Sequence, residues 1–111
     1  MARPMISAGR MRHPVDILEP VDDKQRQGTA IPRFRIAWRD MAAIEPIGGR
    51  EYWESRGAQS NITHRVKMRW RPNGIMTRHK IRFDNRVFEV TNVLNMGERD
   101  RIVQAMCTEM Q

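Results

Sequence analysis

Cysteine is nearly absent: Cys107 is the only one in 111 residues. That excludes an intrachain disulfide framework and fits synthesis in a reducing intracellular compartment. Metal-ligand spacing is missing as well, since Cys107, His13, His64 and His79 share none; neither a metal nor a cofactor is expected. No apolar run approaches the ~20 residues that span a bilayer, so no membrane partner is expected. The opening segment Met1–Ala8 lacks the uninterrupted apolar stretch of a signal peptide. Catalytic signatures are lacking too. Ser7, Ser55 and Ser60 do not sit in a strand–turn–helix elbow. Gly48-Gly49 has neither the lysine nor the following helix of a phosphate loop. Glu51 and Glu54 fit one helical turn but have no further acid–base companion. His64, beside basic residues at a strand start, reads as a surface histidine. The expectation is a protein without enzymatic activity.

Basic charge is what the chain has in excess. Twenty Lys and Arg stand against 13 Asp and Glu, giving a net charge of +7 and a pI near 11.0. Seventeen of those bases are arginine. Such a surplus favours partners that carry negative charge and says nothing about fold. Hydrophobic residues make up 40%, enough for one modest core, so residues 1–111 are read as one domain.

Alternation fills the gaps between Pro and Gly. Val15 and Ile17 mark a first strand over 13–19, and residues 21–33 form a long loop with Gly28 and Pro32. A second strand covers 34–46, with a phase slip near Asp40–Met41 that predicts a bulge. Residues 48–62 are long for a loop in a small domain, with a possible helical turn over Glu51–Arg56, and loops of that length are usually functional or disordered. In 65–71, Val66, Met68 and Trp70 oppose Arg65, Lys67, Arg69 and Arg71, which only a strand separates so cleanly. In 78–83, His79, Ile81 and Phe83 oppose Arg78, Lys80 and Arg82. Asp84-Asn85 reads as a hairpin turn leading to a strand over 86–93. A second turn over 95–100 precedes the last strand, 101–109, with Val103, Ala105 and Cys107 inward. About six antiparallel strands with little helix predict an all-β fold: a small closed barrel or a tightly rolled sandwich, its long loop between strands 2 and 3. Met41, Met68 and Met106 are expected in its core.

Two features are candidates for function. The last four strands are read as consecutive antiparallel neighbours from their connection lengths, so Arg65, Lys67, Arg69, Arg71, Arg78, Lys80 and Arg82 are expected on one basic sheet face. It would be a solvated surface, or would meet acidic protein or a nucleic-acid backbone. Trp70 and Phe83 lie in the opposite phase, toward the core, whereas sheets that bind nucleic acid usually expose aromatics among their bases. The second feature is the loop, where Tyr52 and Trp53 stand side by side and either cap the barrel or dock on a neighbour.

Five segments, taken in order, resemble one family. They are Ala8-Gly9-Arg10-Met11-Arg12-His13 before a strand, the run Ala42-Ala43-Ile44-Glu45-Pro46-Ile47-Gly48-Gly49-Arg50-Glu51, and Thr63–Arg71. Arg86-Val87-Phe88-Glu89-Val90 and Arg99-Asp100-Arg101 before a strand ending in Cys107 complete the set. Together, over about 8–109, they are similar to the tailed-bacteriophage head–tail adaptor family, also called head-closure, stopper or head–tail joining proteins. The resemblance implies a structural virion protein at the head–tail interface: a small β-barrel that assembles into a dodecameric ring below the portal and its adaptor. The ring closes the channel holding packaged double-stranded DNA and offers a docking surface to tail terminator or tail tube proteins. It also implies an N-terminal arm over 1–12 and a projecting loop over 48–62, in which Arg50, Glu51, Tyr52, Trp53, Glu54 and Arg56 line the channel or clasp a neighbour. The alternative is a small barrel that binds single-stranded nucleic acid.

Overall fold

The computed structural model describes residues 11–21, 33–47 and 62–110. They contain six strands: β1 (His13–Pro20), β2 (Phe34–Pro46), β3 (His64–Arg69), β4 (Lys80–Phe83), β5 (Arg86–Asn95) and β6 (Ile102–Glu109). All pair antiparallel and close into a barrel in the order β1-β2-β3-β6-β5-β4. The expected all-β barrel is thus the observed fold. The N-terminal arm beyond Met11, the loop over 22–32 and all of 48–62 except Ile62 lie outside the described residues.

Period-two alternation fills the interior. Val15 and Ile17 of β1, Val66 and Met68 of β3, Ile81 of β4, Phe88 and Val90 of β5, and Val103, Ala105 and Cys107 of β6 form one apolar core. Phe88 is the largest side chain with no exposure at all. Each such apolar side chain contributes about 1.5–3 kcal/mol by leaving water. Met11, Ala43 and Ile102 make a second, smaller cluster. Ala43 and Ile102 are in the outward phase of their strands, so Met11 buries them from outside the barrel.

Two irregularities set the side-chain phases. Ile17 pairs with Trp38 but Leu18 pairs with Ile36, which leaves Ala37 as the extra residue of β2. The bulge therefore lies ahead of the expected Asp40–Met41 position, and it lets Leu18 be buried directly after Ile17. Met41 is not core: Ala42 takes the inward place opposite Met68, and Met41 is left 46% exposed. Met68 and Met106 are buried as expected. In β5, Val90 pairs with Cys107 and Asn92 with Met106, so Thr91 is extra and Val93 turns back onto the core.

The connections differ in kind. Asp84-Asn85 joins β4 to β5 as a tight turn, Asp84 taking a left-handed φ of 56°. Between β5 and β6 a 3-10 turn spans Met96–Glu98, with Gly97 at φ 66°. The Asn95 side chain clasps that turn: its Nδ2 donates to Asp100 Oδ1 at 2.7 Å, and its Oδ1 accepts from the Asp100 N–H at 3.1 Å. The link from β3 to β4 is not a hairpin. β3 lies between β2 and β6, and β4 lies between β1 and β5, so the two face each other across the barrel. The single basic face expected from neighbouring strands does not exist; its residues are divided between opposite flanks.

Candidate functional site

The divided bases mostly meet acids of their own chain. On the β3 flank, Arg65 Nε donates to Glu45 Oε1 at 3.1 Å, and Lys67 Nζ lies 3.7 Å from the same oxygen. The register Glu45↔Arg65 brings them together. On the β4 flank, Arg82 donates from Nη2 and Nε to Asp16 Oδ2 at 2.8 and 3.2 Å. Lys80 reaches Glu89 at 3.3 Å and lies over the Phe34 ring, while Arg78 sits 3.8 Å from Glu19. Five of the seven predicted bases are therefore matched by a carboxylate. Exposed pairs of this kind stabilise by only about 0.2–1 kcal/mol each, but they remove the like-charge repulsion a shared face would carry.

Three carboxylates that sequence reasoning passed over organise these flanks. Asp16 accepts from Arg82 of β4 and from Arg39 of β2, at 3.0 Å, so it ties three strands. Those bonds, Arg82's first, hold its carboxyl below the usual range. Glu19 is held low by the hydrogen bond from Arg35, and Glu109 by that from Arg86. Arg86 clamps Glu109 with two bonds, at 2.9 and 3.0 Å, and is itself raised by that contact. For Asp16 the signal was present, since it alternates with Val15 and Ile17 of the core, but its partner is set by register.

Among the described residues, burial governs the protonation of His64, His79 and Cys107. His64 is half-buried rather than on the surface, packed edge-on against Phe88 at 5.0 Å, and burial pushes its pKa down. His79 is buried, as its phase predicted; its Nδ1 accepts from the Met76 N–H at 2.9 Å and Nε2 has no partner. Burial, with Arg78 nearby, keeps it neutral. The Cys107 thiol is pushed up to about 12 by burial and is inert at neutral pH. Among the described residues no three His, Cys, Asp or Glu gather as metal ligands.

The described residues leave a cleft at one end of the barrel. It measures about 180 Å³ and has a floor of Met68, Ile75, Val93 and Val103 and a rim of Trp38, Asp40, Trp70, Arg69 and Arg71. Arg71 lies over the Trp38 ring at 4.5 Å, and the Trp38 indole donates to Asp40 at 3.4 Å. The Trp70 N–H donates to the Arg101 carbonyl at 2.9 Å, which places the β5–β6 turn on the same rim. Sequence reasoning put Trp70 against the core, where it packs partly buried, but not beside Trp38. No described aromatic is exposed enough to serve as a stacking platform. Arg50, Glu51, Tyr52, Trp53, Glu54 and Arg56 lie outside the described residues.

A family model described as phage head completion protein matches residues 6–110. Among solved structures, the solution structure of protein SF1141 from Shigella flexneri 2a superposes with a TM-score of 0.71. It is 20% identical, and the match covers 94% of this chain and 96% of that one. This likeness shows a shared fold. No curated protein matches.

Proposed function

Because the chain belongs to the phage head completion protein family, a structural component of head closure, we propose that it builds the ring that seals a phage neck. In this reading a dodecamer sits below the portal and its adaptor, closes the DNA channel after packaging and receives the tail terminator or tail tube. The family match over 6–110 carries it. The barrel supports it physically. A closing ring needs two different, complementary patches on each subunit. The opposed flanks around Glu45 and around Asp16 and Glu19 differ in their side chains and give each subunit two distinct surfaces. The loop over 48–62, with Arg50, Glu51, Tyr52, Trp53, Glu54 and Arg56, forms the constriction or an intersubunit clasp.

The test is to image the purified protein with its portal complex, intact and with residues 50–60 deleted. The intact chain joins a ring; the deleted chain keeps its strand spectrum but fails to close one. A protein that stays monomeric beside the portal complex overturns the proposal. Affinity for single-stranded nucleic acid that drops steeply with salt and ignores the deletion would put the alternative in its place.

A further inference from the structure

Among the described residues Arg12, just ahead of β1, and Arg69, Arg99 and Arg101 make no ion pair, and Arg71 has only the Trp38 ring. All of these but Arg12 belong to the cleft end of the barrel, on the cleft rim or on the β5–β6 turn bonded to it. The same end collects the exposed apolar side chains. Among the described residues six large hydrophobics are well exposed, and four of them directly adjoin a cleft residue in sequence: Met41 beside Asp40, Met76 beside Ile75, and Leu94 and Met96 flanking Asn95.

From this coincidence we infer that the barrel mouth is a socket for an extended segment of a partner protein that carries one large apolar side chain between carboxylates. The cleft takes the apolar anchor. At about 180 Å³ it is smaller than the roughly 300–1,000 Å³ of small-molecule sites and suits a single side chain. Trp, Arg and Met, which surround this cleft, are residue types enriched at protein interfaces, with Trp and Arg among the strongest anchors. The arginines take the flanking carboxylates, through paired hydrogen bonds that lysine does not match. A phosphate backbone fits less well. A DNA backbone has no apolar group for the cleft and leaves the methionines and Leu94 uncovered.

The inference rests on head closure only for the existence of a neck partner, and its test does not use the ring. Full-length labelled protein is titrated with a short synthetic peptide holding one leucine between pairs of glutamates, followed by NMR at the Trp38 and Trp70 indoles. Saturable shifts at both are expected. Replacing the peptide's leucine with alanine weakens binding at least fivefold. Reversing charge with Arg69→Glu and Arg101→Glu weakens it at least tenfold and transfers preference to a lysine-flanked peptide. Arg69→Gln with Arg101→Gln gives the intermediate loss should the reversed pair fold poorly. Absence of saturable shifts, indifference to the leucine, or equal shifts from a DNA duplex overturns the socket. Ring formation by the same variants is scored separately by electron microscopy, so loss of the socket leaves head closure standing and loss of the ring leaves the peptide result standing.

Discussion

Asp16→Asn tests how the barrel is held shut. The β1–β4 seam closes the sheet, yet it pairs only Asp16, Ile17 and Leu18 with Arg82, Ile81 and Lys80. Asp16 reinforces it from outside by accepting from Arg82 and, across β1, from Arg39. Arg39 is 76% exposed, so that pair is screened and contributes at most a few tenths of a kcal/mol. The Arg82 pair, with two bonds and a carboxylate only 23% exposed, contributes about 1 kcal/mol. The amide keeps one acceptor, so a net loss of about 1 kcal/mol is expected near neutral pH, which lowers Tm by about 4–8 °C for a domain of this size. Because folding holds the Asp16 carboxyl below its ordinary 3.8, the unfolded chain protonates first as pH falls. Its contribution is complete above the ordinary value and disappears as pH drops through the folded one. Urea titrations of both proteins should therefore differ at neutral pH and converge in strong acid. A double-mutant cycle with Arg82→Met should return a coupling of about 0.5–1 kcal/mol. A neutral-pH difference under about 0.3 kcal/mol, or one that persists undiminished into acid, refutes the assignment.

Phe88→Ala empties the centre of the core, and urea unfolding should show a loss of about 3–5 kcal/mol. His64 and His79 are both held neutral below the ordinary 6.5, so the unfolded chain takes up protons first and stability declines as pH falls through 6.5. His79→Asn, which preserves an acceptor for the Met76 N–H, should flatten part of that decline in thermal melts at a series of pH values. Cys107 should resist iodoacetamide in the native protein at neutral pH and react once urea unfolds the barrel, as mass spectrometry would show.

Strand existence was legible because each strand carries its own signal. Val66 and Met68, or Phe88 and Val90, alternate with polar residues, and that period is local to six or eight positions. Hairpin pairing was legible where a two-residue turn forces it, as at Asp84-Asn85. It failed where the connection is long. Residues 70–79 include Pro72 and Gly74 and suffice to cross from β3 to the opposite wall, and nothing in their composition reports the crossing. The error about the basic face followed from that one step. Ion partners were hidden for the same reason: Arg82 and Asp16 are 66 positions apart and meet only through the closing seam. The mouth was invisible because Trp38, Ile75 and Val93 come from three separate stretches, two of them re-aimed by bulges whose positions alternation alone does not locate.

Pairing within the chain changes what a net charge of +7 means for an assembly. Spread evenly, that surplus would oppose packing one copy beside another. On the described flanks, bases from Arg65 to Arg86 mostly face carboxylates of their own subunit, so flanks meet with little long-range repulsion. Arg69, Arg71, Arg99 and Arg101, which have no carboxylate partner, lie instead at the mouth. Cyclic symmetry sets every mouth at the same angle to the ring axis. In the proposed ring they therefore form one repeating band of arginines and apolar side chains, at a height and radius shared by every subunit. A partner presenting one acidic segment per subunit then gains from effective concentration what a cleft of this size does not supply alone.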